Sequence, residues 1–103
     1  MIVKGATKKL EKTLSSERSL IKTFGSINGK KVAQRVSELR AAETLNQISH
    51  LPPPRLHELH GDWQGFFSVT LTGNWRLVFQ GYDKEENKTM DKDQIILVVI
   101  KPR

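Results

Sequence analysis

The chain contains no cysteine among its 103 residues. That absence excludes disulfides, thiolate nucleophiles and every cysteine-based zinc site, and it suits a reducing compartment. Long hydrophobic runs are missing too. The longest, residues 95–100, has six apolar positions, against the roughly 20 that a membrane helix needs. No signal-peptide core stands at the N-terminus, so the expectation is a cytoplasmic protein that does not enter a membrane. Absent as well are a Gly-rich phosphate loop, an HExxH metal motif, an EF-hand loop and a Gly-x-Ser-x-Gly nucleophile turn. Acidic residues are scarce relative to basic ones, eleven against seventeen, which leaves a formal charge of +6.

That charge is lopsided. Residues 1–55 hold eleven basic and four acidic side chains, whereas residues 56–103 hold six and seven. The N-terminal half is therefore the polyanion-facing half. A chain of this length suits one domain over residues 1–103, burying roughly two-thirds of its unfolded surface in one core.

Hydrophobic periodicity divides the chain in the same place. Residues 1–4 are β-compatible, and Ala6, Leu10 and Leu14 then recur at helical spacing beside Lys8, Lys9 and Lys12. Residues 15–18 suggest a cap or break, and residues 25–29 a second interruption. Val32, Val36 and Leu39 form the buried stripe of the next helix, with Lys30, Lys31 and Arg35 placed outside it. Residues 41–48 remain helix-compatible up to Pro52-Pro53-Pro54, which reads as a rigid connector. Beyond it the period falls to two. Residues 66–71 and 75–80 read as strands joined by a turn at Thr72-Gly73-Asn74, residues 81–93 as a polar loop, and residues 94–101 as a closing central strand. The expected architecture is α+β, ordered β-α-α-β-β-β, with a mainly antiparallel sheet and helices packed on one face.

Few residues offer chemistry. His57 and His60 are three apart, but a strand points them to opposite faces, so no metal pair is expected. An imidazole of near-neutral pKa serves instead as a proton acceptor or a phosphate contact. Arg76, early in a strand between Trp75 and Leu77, carries a planar guanidinium suited to clamping a phosphate or to a structural ion pair.

Leu56-His57-Glu58-Leu59-His60-Gly61, followed at short range by Gly73-Asn74-Trp75-Arg76, resembles the HigB toxins, the plasmid-maintenance killer-protein branch of the RelE/ParE superfamily. The resemblance implies a ribosome-dependent messenger RNA endonuclease that blocks translation. It implies neutralisation by a cognate HigA-like antitoxin with a helix-turn-helix, and contact with operator DNA only through that complex. The chemistry it implies is attack of a 2′-hydroxyl on the adjacent phosphate, which needs no metal or other cofactor. On that basis His57 is the general base, Arg76 holds the scissile phosphate, and His60, which stands where many relatives carry lysine, is the third catalytic candidate, a phosphate contact in its protonated form. Arg55 orients the RNA backbone, and the lysines of the helical half with Arg35 dock on ribosomal RNA. Relatives commonly end Asp-Tyr-His, whereas this chain ends Lys101-Pro102-Arg103. Arg103 stands in the place of the histidine, where it can bind phosphate but accept no proton. Two other readings fit the same scaffold: a ParE-like inhibitor of DNA gyrase and a basic nucleic-acid-binding module.

Overall fold

The first strand, β1 (Ile2–Gly5), buries Val3 and ends on a glycine that the packing requires. A Cβ at Gly5 would lie 2.6 Å from the backbone nitrogen of Glu11, so only glycine lets the following helix turn back against the strand. The computed structural model describes residues 1–101. Pro102 and Arg103 lie outside the described residues.

Three helices follow, each with a local reason for its start. Thr7 caps α1 (Lys8–Thr13), its hydroxyl accepting from the Leu10 amide at 3.1 Å. Ser16 caps α2 (Glu17–Phe24) in the same way through the Ser19 amide. Gly25, at φ 89°, is both the end of α2 and the entry to α3 (Ser26–Ala41), a conformation that glycine adopts without strain. Of the two expected interruptions, residues 25–29 shrink to Gly25 alone. Gly29 lies inside α3, and a Cβ there would stand 2.6 Å from the Ile21 Cα. The glycine is thus a contact point between two helices rather than a break. Residues 42–48 leave the α-helix, with only a short 3-10 turn at Leu45–Gln47.

The remaining strands are β2 (His57–Glu58), β3 (Phe67–Thr70), β4 (Arg76–Tyr82) and β5 (Leu97–Ile100). They form one sheet in the order β1-β5-β4-β3-β2, parallel only between β1 and β5. β4 runs two residues further than its expected end at Gln80. Gly81 continues it because its missing side chain leaves room for Ile95.

Helices α2 and α3, with Leu14 just past the end of α1, contribute to one core against one sheet face. Leu14, Leu20, Val32, Val36 and Leu39 meet Phe67, Val69, Phe79, Val98 and Ile100. The fold class is the expected α+β, a mainly antiparallel sheet with its helices on one side, but the expected order β-α-α-β-β-β is extended: the described residues form three α-helices, because Ser16 starts a helix of its own, and a fifth short strand, β2. No helix among the described residues is long and apolar enough to cross a membrane.

Candidate active site on the helix-free sheet face

Residues paired across a ladder share a face, and faces alternate along each strand. Phe67, Val69, Leu77 and Phe79 point to the helices, so Ser68, Thr70, Arg76 and Val78 point away from them. Pairing extends this second face into a grid. His57 pairs with Ser68 and Ser68 with Val78. Lys101, whose amide donates to the Val78 carbonyl at 2.9 Å, continues the row on β5. Thr70 and Arg76 form the neighbouring row. His57 and Arg76 therefore share a face, two strands and two residues apart. Strand spacing places their Cα atoms about 12 Å from each other.

Arg76 is held by its setting rather than by an acidic partner. The Thr70 amide donates to the Pro54 carbonyl at 2.7 Å, and the Thr70 carbonyl accepts from Arg35 Nε at 2.8 Å. With its backbone groups turned away from β4, Thr70 faces Arg76 as the closely spaced kind of antiparallel pair. Among the described residues Arg76 makes no ion pair, and its Nη1 is buried without a hydrogen-bond partner. Ser68 Oγ and Thr70 Oγ1, on the same face, are buried and unpartnered as well. Unpaired buried polar atoms are costly, and here they cluster on one side of one sheet. No acidic side chain stands in the rows that contain His57 and Arg76.

His57 is exposed, and its ring is oriented by the main chain. Nδ1–H donates to the Arg55 carbonyl at 3.2 Å, which in the neutral ring leaves Nε2 as the free acceptor. Arg55 turns that carbonyl inward from a left-handed backbone conformation, φ 48°, unusual for a residue other than glycine. Its side chain is exposed beside the strand. His60 lies beyond the end of β2, exposed, at the entry to a 3-10 turn at Gly61–Trp63.

A groove of about 930 Å³ opens between the helices and the Arg76 end of the sheet, on the side where Leu14, Val32, Leu77 and Ile100 meet. Its lining includes Arg76, Lys101 and Lys9 together with Leu10, Phe24 and Trp75. Lys9 thus joins the strand residues, while Lys8, Lys12 and Lys30 are exposed elsewhere on the helices and Lys31 is half-buried. Arg35 corrects the sequence reading. Only 2% exposed, it bonds Thr70 and the Glu38 carboxylate, the latter at 3.1 Å, so it is a brace inside the protein and not part of a basic surface. Position 35 is three residues from Val32 and four from Leu39, on the buried stripe, and that spacing carried the signal. Arg103 falls outside the described residues. Lys101 is the residue that sequence reasoning did not assign to the site. Alternation from Leu97 and Val99 gives its face, but only the β4 pairing brings it beside Arg76.

The HigB family profile, described as a RelE-like toxin of a type II toxin–antitoxin system, matches residues 7–93. The chain is 41% identical over 44 residues to the endoribonuclease HigB of Proteus vulgaris, a match covering 41% of this chain and 48% of that protein. The similarity thus spans about half the length of that relative. No solved structure matches the chain at comparable significance. The family match takes in the helices, His57, Arg76 and the strands around them, and it places the chain in the HigB-like family of RelE-like toxins, type II toxins that act opposite a cognate antitoxin.

Proposed function

We propose that this protein is an endoribonuclease that cuts messenger RNA on the ribosome and so inhibits translation. The observation that carries the reading is the buried, unpartnered nitrogen of the Arg76 guanidinium on the same sheet face as a histidine with a free Nε2. The curated relative named an endoribonuclease supports the same class of activity.

In the proposed reaction the substrate's 2′-hydroxyl gives its proton to His57 Nε2 and attacks the adjacent phosphorus. Arg76 binds the non-bridging oxygens, whose charge grows in the transition state, where a fixed donor in a shielded site is most effective. The P–O5′ bond breaks and a 2′,3′-cyclic phosphate remains. No metal is required by this chemistry. His60, exposed near β2, adds a second imidazole contact to the phosphate, Arg55 contacts the flanking RNA backbone, and Lys8, Lys9, Lys12, Lys30 and Lys31 dock on ribosomal RNA. Arg103 is assigned a phosphate contact. The whole of residues 1–103 acts as one toxin domain in the cytoplasm. Its partner is a HigA-like helix-turn-helix antitoxin, through which alone the complex touches operator DNA.

Purified protein incubated with a defined message, with and without ribosomes, tests the reading. Cleavage in the ribosome-containing reaction alone is expected. A message left intact in both reactions overturns it.

A further inference from the structure

The two arms of the site share one neighbour. Thr70, the last residue of β3, stands across the ladder from Arg76, and its amide donates to the Pro54 carbonyl at 2.7 Å. Pro54 precedes Arg55, whose own carbonyl orients the His57 ring. The placement of His57 relative to Arg76 therefore runs through Thr70.

In an antiparallel ladder a residue that donates to its hydrogen-bonded partner receives an N–H in return. Pro54 has none to give. The chain before His57 has also turned its other donors elsewhere, the Arg55 amide to the Leu51 carbonyl and the Leu56 amide to that of Ser49. The Thr70 carbonyl thus finds no strand donor on its β2 side, and a carbonyl left bare in a part-buried position is costly. A side chain of α3 supplies what is missing: Arg35 Nε donates to it at 2.8 Å.

That donor is itself fixed. Arg35 is buried, and its Nη1 is held by both carboxylate oxygens of Glu38, at 3.2 and 3.1 Å, which leaves Nε as the donor facing β3. About two turns earlier, on the same side of α3, Asn28 Oδ1 accepts from the Thr72 hydroxyl. Thr72 lies in the turn that leads from β3 into Arg76, and its carbonyl accepts from the Trp75 amide at 2.8 Å. α3 is therefore tied to the hairpin twice, before the turn through Arg35 and within it through Asn28.

We infer that Arg35 is a positioning residue for the cleavage reaction: it holds the Thr70 carbonyl and so fixes β3 between His57 and Arg76. This rests on the proposed endonuclease reading. Arg35 touches neither the RNA nor the scissile phosphate. It acts on the spacing of the two groups that do, and a displacement of about 1 Å in such a spacing costs up to about 100-fold in rate.

Glutamine and methionine at position 35 separate the bond from the bulk. Counted along the side chain, the glutamine amide nitrogen stands where Arg35 Nε does, so Arg35→Gln keeps a donor for Thr70 and gives up the pair with Glu38. Arg35→Met has the same length and no donor. Cleavage of ribosome-bound message is measured with the full chain at equal folded concentration, with an osmolyte present to keep Arg35→Met folded. Arg35→Met is expected to lose about 10- to 100-fold in kcat with KM within about threefold, and Arg35→Gln to return kcat to within about threefold of the unaltered protein. Val36→Ala, which thins the buried side of the same helix without touching Thr70, keeps kcat within about twofold. In an Arg76→Ala background, Arg35→Met lowers the rate no further, because the spacing it sets no longer matters. In the protein alone, the NMR order parameter of the Arg76 Nε–H bond falls below about 0.6 with Arg35→Met and stays above it with Arg35→Gln. The inference is overturned by an unchanged kcat or an unmoved order parameter in Arg35→Met, by equal losses in Arg35→Met and Arg35→Gln, by an equal loss in Val36→Ala, or by a further fall on Arg76→Ala. If the unaltered protein cuts no message, the endonuclease reading fails, and the order parameter alone decides whether Arg35 holds Arg76 in place.

Discussion

The two faces of the sheet are built on opposite terms. Toward the helices, every side chain from β3, β4 and β5 in the core is apolar, and two phenylalanines stack across the ladder, Phe67 on Phe79, 5.9 Å between ring centres. Toward the other side, one row away on the same strands, Ser68, Thr70 and Arg76 carry buried polar atoms without partners. Stability is concentrated in the first face and held back from the second. Buried polar atoms without partners call for an explanation, and the proposed phosphate ligand supplies one for Arg76. The difference also separates the two arginines. Arg35 is fully used in bracing Thr70, whereas Arg76, directly across the ladder from Thr70, is left open.

Substitutions that strike one face and spare the other can break this comparison. Arg76→Ala is expected to lower cleavage of ribosome-bound message by about 100- to 1000-fold. Its folding free energy should move by no more than about 0.5 kcal/mol, because the guanidinium has no protein partner to lose. Initial rates and urea titration measure the two. Gly29→Val does the reverse. A branched side chain pressed on the Ile21 backbone should cost about 3 kcal/mol, read from the urea midpoint, while the protein that remains folded cuts at the unaltered rate. Arg35→Met strands the Thr70 carbonyl and should cost about 1–2 kcal/mol. Its effect on RNA affinity should be uniform with salt, because no exposed charge is removed. Lys8→Ala has the smallest expected effect, a fall of about one in the slope of log affinity against log salt with no change in thermal midpoint.

Much of the helix-covered face was legible in the sequence because its rules are local. The stripe of Val32, Val36 and Leu39 and the alternation in residues 66–71 each set a buried side directly. Gly29 misled because its composition signals a turn, whereas a tertiary contact with Ile21 decides its place. Arg35 misled because its charge outweighed its spacing: the position is on the stripe, and Glu38 with the Thr70 carbonyl makes burial tolerable. On the helix-free face, His57 and Arg76 were individually visible through motif spacing, yet they stand on different strands with a third strand between them. Their shared face follows from the β2–β3–β4 register, which no local pattern encodes. Lys101 was the least legible, because its neighbours in the grid come from strands distant in the chain.

If the unpartnered guanidinium of Arg76 is reserved for a scissile phosphate, removing it must abolish the chemistry and leave the fold intact. The end group left on ribosome-bound message reports this most directly, with the unaltered protein and Arg76→Ala compared at equal folded concentration. A 2′,3′-cyclic phosphate is expected from the unaltered protein and almost none from Arg76→Ala, although the two unfold at the same urea concentration. Equal yields of cyclic phosphate from both proteins would contradict that role for Arg76.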